Sequence, residues 1–206
     1  MAVANYQDAK GHYPTAYQVD ADGKPIHSWR VDILPYIEHE TLFRQYRFSE
    51  PWDSAANAAL LERMPKTYVL HGLEKPGNAV TNYLVVVGDE TAWPGPKTIA
   101  AADIKDGTTN TIMIVENRPG VPWMSPRDLS FNEMDFTIPS HRGVSSRYVD
   151  PAVVMFDGAV RRLKPSLSPE ALRAMCTIRG GEKIGFDETG GVELLRDGRD
   201  RPTGEP

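Results

Sequence analysis

His141-Arg-Gly-Val-Ser-Ser-Arg-Tyr-Val-Asp-Pro-Ala-Val-Val-Met-Phe-Asp157-Gly158-Ala-Val-Arg-Arg-Leu163 is the stretch on which the fold turns. Val153 to Phe156 is a short apolar run rich in β-branched residues, which suit a pleated, half-buried surface. Asp157-Gly158 is a two-residue turn signal of the kind that takes positive φ at both positions. Ala159 to Leu163 is the returning strand. The pattern predicts a tight antiparallel hairpin with one face buried and a histidine, His141, upstream of it.

Working outward, two more strands suit the same sheet. Thr81 to Val87 is the clearest of them, and Thr111 to Glu116 is the next. Between them, Asp106-Gly107-Thr-Thr-Asn110 reads as a turn held by side-chain hydrogen bonds from Asp106 and Asn110, with Gly107 at positive φ. Residues 118–139 are irregular and rich in Pro. Helical spacing marks residues 2–10, stopping at Gly11, then 29–37 with Pro35 as a kink, and 41–46. Residues 55–64 read as a helix capped by Asp53 or Ser54, and Lys66 to Leu70 as a further strand. Ser168-Pro169-Glu170 opens a helix that runs to about Ile178, and Val192 to Leu195 adds an edge strand. These elements make one α+β domain over residues 1–184, with short helices packed on a small antiparallel sheet. A polar, Gly-rich extension covers 185–206.

Composition narrows the function. The 206 residues are 40% hydrophobic, enough for one core, and carry a net charge of −5. A pI near 5.6 gives no basic stripe for a nucleic acid. The single cysteine, Cys176, excludes an internal disulfide framework and a Cys-rich zinc site. It occupies an apolar position of a predicted helix and reads as core. No apolar run reaches the length of a membrane span.

Several pieces, in this order, resemble the DUF1559 family: Asn5-Tyr6 with Gly11-His12-Tyr13-Pro14, Ser28-Trp29-Arg30 through Leu34-Pro35-Tyr36-Ile37-Glu38, Glu50-Pro51-Trp52-Asp53, Asp106-Gly107-Thr108-Thr109-Asn110-Thr111, Val121-Pro122-Trp123, and the Asp157-Gly158 hairpin. That family is abundant in planctomycetes and linked to prepilin-type processing. Its C-terminal signature is a His, about nine residues, then Asp-Gly; fifteen residues separate His141 from Asp157 here, a longer loop. The resemblance implies a pilin- or pseudopilin-like head, in which residues 2–10 are the remnant of a longer N-terminal helix that anchors in the inner membrane. On that expectation Met1 is not the natural start. The protein then works on the periplasmic or extracellular face of the cell envelope, touches the membrane only through that helix, and has other pilin-like subunits as partners. Major pseudopilins bind calcium in a C-terminal loop, which makes Asp187, Glu188 and Asp197 the candidate calcium oxygens.

The residues suggest no reaction. There is no Gly-x-Ser-x-Gly elbow and no paired-His helix. His12, His39, His71 and His141 have no ligand spacing, and Asp20-x-Asp22-Gly23 lacks the downstream Glu of a calcium loop, with Val31 in its place. The expectation is a non-enzymatic structural protein with no obligatory cofactor. The alternative is a module that captures a glycan or another small ligand on Trp93 and Trp123. Of these, Trp93, flanked by Pro94-Gly95-Pro96, is the better candidate for exposure, with core or loop packing the favoured reading for both. A metal-dependent hydrolase built on His141 and Asp157 is the third reading.

Overall fold

The computed structural model describes residues 2–70, 72, 79–186 and 192–194. Helix α1 (Ala2–Lys10) ends where predicted, with the Gly11 N–H donating to the Gln7 carbonyl at 2.7 Å. A small antiparallel hairpin follows, β1 (Tyr17–Val19) and β2 (Pro25–Ser28). Asp20 closes its loop by accepting from the N–H groups of Asp22 and Lys24 at 3.0 and 2.9 Å. Ser28 caps α2 (Trp29–Asp32) through its Oγ. Pro35 cannot donate to the helix ladder, so the apolar run continues as a 3-10 turn over Leu34–Ile37. Helices α3 (Glu40–Gln45) and α4 (Ala55–Ala58) complete the N-terminal layer.

Two local expectations fail in this layer. The 55–64 helix stops at Ala58 and tightens into a 3-10 turn at Leu61–Arg63. A continued helix would send the residue 65 N–H to the Leu61 carbonyl, but residue 65 is proline. The Trp123 indole takes that carbonyl instead, at 3.0 Å. Lys66–Tyr68 is a 3-10 turn and not a strand. It lets the buried Tyr68 hydroxyl donate to the Arg30 carbonyl at 2.7 Å.

The sheet comprises β3 (Val80–Leu84), β5 (Ile112–Pro122), β7 (Ala152–Met155) and β8 (Val160–Arg162), antiparallel throughout and in the order β3-β5-β7-β8. The predicted 81–87 strand divides at Val85, whose N–H leaves the ladder for Asp128 Oδ1 at 2.9 Å. Its second part, β4 (Val86–Val87), pairs in parallel with β6 (Leu129–Ser130). Strand β5 outruns its prediction, with a bulge between its pairings to Tyr83 and Thr81. Helix α5 (Pro169–Cys176) is capped by Ser168 and stops two residues before the predicted end. Finally β9 (Ile184–Phe186) pairs with β10 (Val192–Leu194), so the expected boundary at 184/185 falls within β9.

The deciding hairpin is present, but its turn differs. Met155 N–H donates to the Ala159 carbonyl and Gly158 N–H to the Met155 carbonyl, both at 2.9 Å. Only Gly158 has positive φ, at 91°. This is a three-residue loop, Phe156-Asp157-Gly158, with a glycine bulge. Asp157 Oδ1 accepts from the Ala159 N–H at 2.8 Å, which braces the loop. The longer loop permits Phe156 to leave the strand and pack against Tyr13, with centroids 4.9 Å apart.

Alternation along the strands feeds two cores. Leu84, Ile112, Val115, Val153 and Met155 face α5 and the segment after β6. Val85, Met113, Ile114 and Val154 face the N-terminal layer. Through that second core runs a row of rings: Phe156, Trp93, Trp29, Tyr68 and Trp123, with neighbouring centroids 5.4–6.5 Å apart.

Candidate functional site

On the N-terminal-layer side, the sheet is not fully covered. Ile114 pairs with Val154, and Val154 with Val160, so one apolar row crosses β5, β7 and β8. Ile114 and Val154 are half-buried, whereas Val160 is 67% exposed. Tyr83 and Glu116, another cross-strand pair, lie on the same face. This face forms one wall of a groove of about 330 Å³. Ala2 and Val3 at the start of α1, with Ile33 and Ile37, also line this groove. Traced from Lys10 back to Ala2, α1 leads from the polar surroundings of Gln18 and Asp32 to this groove.

The groove is braced from below by a buried ion pair. The Arg30 guanidinium donates from Nη2 to Asp128 Oδ1 at 2.6 Å and from Nη1 to Oδ2 at 3.3 Å, with both side chains fully buried. Arg30 also donates to the Tyr83 carbonyl from Nε and Nη2, and to Ser28 Oγ from Nη1. Burial raises the Asp128 pKa, while Arg30 and the Val85 N–H oppose that shift. These donors hold the carboxylate in place and join β3, β4 and α2 into one unit. Nearby His27 is buried, with Nε2 donating to the Phe48 carbonyl and Nδ1 accepting from the Tyr46 hydroxyl, both at 2.9 Å. That pattern suits a neutral ring, and burial lowers its pKa.

The residues singled out by sequence are scattered by the structure. Trp93 and Trp123, proposed as a stacking platform, are 1% and 0% exposed. Trp93 Nε1 donates to the Met113 carbonyl at 2.9 Å, and both rings are members of the core row. Neither offers a face to a ligand, because the Pro-Gly-Pro loop is pinned down by the Ala16 N–H donating to the Gly95 carbonyl at 2.9 Å. Gly107 takes φ 92° as expected, and Asn110 Nδ2 donates to the Asp106 carbonyl. The Asp106 carboxylate, however, does not tie its own turn. It accepts from the N–H groups of Gly180 and Gly181 at 2.8 and 2.9 Å, clamping the chain that leaves α5.

His141 is exposed. Its carbonyl and that of Gly143 accept from the Asn117 amide, and the Ser145 N–H donates to the Glu116 carbonyl. The added residues between His141 and Asp157 thus run along the β5 bulge. Asp157 and Gly158 shape the hairpin. Among the described residues, no group of three or more His, Cys, Asp or Glu side chains could hold a metal ion. Asp187, Glu188, Asp197 and His71 lie outside the described residues. Cys176 is buried, and burial pushes its thiol up to about 12.

A small α+β domain with an apolar groove beside its first helix is the class of protein that this arrangement defines. Residues 1–83 match the model of a family described as "Protein of unknown function (DUF1559)". The match supports DUF1559 membership, the resemblance noted from the motifs between Asn5 and Asp53, and it ends before the His141–Leu163 stretch. No curated protein and no solved structure matches the chain. Among the described residues, no helix is long and apolar enough to cross a membrane.

Proposed function

We propose that this protein is the head of a pilin- or pseudopilin-like cell-envelope protein, non-enzymatic and structural. In this reading α1 is the C-terminal end of a longer apolar helix that anchors in the inner membrane. The head faces the periplasm or the exterior and assembles with other pilin-like subunits. The observation that carries the reading is the groove. A helix continued before Ala2 rises 1.5 Å per residue, so two further turns would span about 11 Å from the groove that Ala2 and Val3 line together with Ile114, Val154 and Val160. Covering those three side chains would contribute several kcal/mol, at roughly 25 cal/mol per Å² of apolar surface.

The test is the intact mass and N-terminal sequence of the protein isolated from its own source. The expected result is a longer chain that opens with an apolar segment leading into Ala2. A mature protein that begins at Met1 would remove the anchor and overturn the reading. The glycan-binding alternative loses its stacking residues, since Trp93 and Trp123 are core.

A further inference from the structure

The other end of α1 borders a second cavity, of about 470 Å³, which the reading above does not use. Two ring pairs line it. Tyr6 and Tyr36 have centroids 5.5 Å apart with planes at 63°, and Phe43 and Phe48 have centroids 5.2 Å apart at 58°. All four rings are half-buried, so each keeps surface towards the cavity or solvent. Asp32, the last residue of α2, lines the same space, and its Oδ1 accepts from Gln18 Nε2 at 2.8 Å.

Among the described residues, no cation pairs with Asp32. Lys10 and Glu40 are the other charged groups on the lining. Glu40 is engaged by Arg44 Nε at 2.9 Å, and Lys10 is exposed at the rim. Burial moves the Asp32 carboxyl up to about 6, against the lowering effect of Gln18. A lone carboxylate in such a position costs stability, and an asparagine would avoid that cost.

Ring faces are electron-rich and attract cations, most strongly where water is excluded. A hard metal ion would need several oxygens; this cavity offers the Asp32 carboxylate and the Gln18 amide oxygen, while Glu40 is engaged by Arg44. An alkylammonium ion is large and weakly hydrated, and has CH groups to lay on rings. We propose that this cavity binds a small alkylammonium ion, its charge against Asp32 and its carbon atoms against Tyr6, Tyr36, Phe43 and Phe48. The size fits, since small-molecule pockets begin at about 300 Å³.

The probe is choline, titrated calorimetrically into the 206-residue chain beside its neutral isostere 3,3-dimethylbutan-1-ol. Choline should bind at least about tenfold tighter than the isostere, and Asp32→Asn should remove that preference. Phe48→Leu should weaken choline severalfold with the fold intact by circular dichroism. Moving from about pH 7.5 to about pH 4.5 should weaken choline severalfold in the parent as Asp32 protonates, by no more than the loss that Asp32→Asn produces. The titratable groups around Asp32 are Lys10, Glu40, Tyr6, Tyr36, Tyr46 and Tyr68, with His27 hydrogen-bonded to Tyr46, and the Asp32→Asn chain controls for their titration. Absence of choline binding, equal binding of the isostere, or a pH effect that survives in Asp32→Asn would each overturn the proposal. None of these outcomes depends on the head being pilin-like.

Discussion

Asp32→Asn should stabilise this protein at neutral pH, and the amount follows from the structure. The carboxyl titrates near 6 in the fold and at 3.8 in ordinary surroundings, because burial outweighs the Gln18 hydrogen bond. Between those values the folded chain binds the proton more tightly than the unfolded one. Stability is therefore lost as pH rises from about 4 to about 6, and the loss is complete above that. The full effect is about 3 kcal/mol at roughly 1.4 kcal/mol per pKa unit. Asparagine keeps the shape and the acceptor for Gln18 without the charge. For a domain of this size, thermal midpoints move about 2–4 °C per kcal/mol, so the variant should melt roughly 6–12 °C higher at neutral pH. Paired melts of parent and variant across the acidic range isolate Asp32, because His27 and every other titrating group contribute to both. The difference should vanish near pH 4, grow to about pH 6 and then level off. A variant that melts lower than its parent at neutral pH, or a difference independent of pH, would refute the reasoning.

Three further outcomes follow from other contacts. Asp128→Asn leaves the buried Arg30 guanidinium without its counter-charge and should cost about 3–5 kcal/mol in urea unfolding, a result that a solvent-exposed pair would not give. Gly158→Ala forces a side chain onto a residue at φ 91° and should cost about 1–2 kcal/mol, read as a lower thermal midpoint. Val160→Asp, at an exposed edge position, should change the stability of the 206-residue chain by less than about 0.5 kcal/mol. On the proposed reading, the same change in the protein isolated from its own source should loosen the helix proposed to precede Ala2, seen as faster proteolysis ahead of Ala2.

Much of the architecture was legible because local chemistry and tertiary demand agreed. The Asp157-Gly158 hairpin, the Ser168 cap and the Gly11 stop needed no distant partner. The misreadings share a cause, which is a partner far along the chain. Val85 leaves its strand for Asp128, 43 residues on. The helix after Ala58 yields where Pro65 frees a carbonyl for Trp123, and Lys66–Tyr68 turns so that Tyr68 can reach Arg30. Trp93 is a candidate for exposure by its Pro and Gly neighbours, yet it takes the core packing favoured for it, its indole N–H satisfied by the buried Met113 carbonyl. The Arg30–Asp128 pair spans 98 residues, and no local pattern announces it. Asp32 had a faint signal, as an acid inside the apolar run from Trp29 to Ile37. Of the rings around it, Tyr36 is a near neighbour in the 3-10 turn, whereas Tyr6, Phe43 and Phe48 come from α1, α3 and the loop after α3, which only the fold brings to it.

The seat on the sheet is the central claim, and thiol labelling tests it directly. Cys176 is buried, so a maleimide would report almost entirely on a Val160→Cys substitution. The proposed reading predicts fast labelling in the 206-residue chain and labelling at least about tenfold slower in the protein isolated from its own source, because the proposed helix would then cover the Ile114–Val154–Val160 row. Equal rates in the two proteins would show that nothing sits in the groove, and would contradict the account.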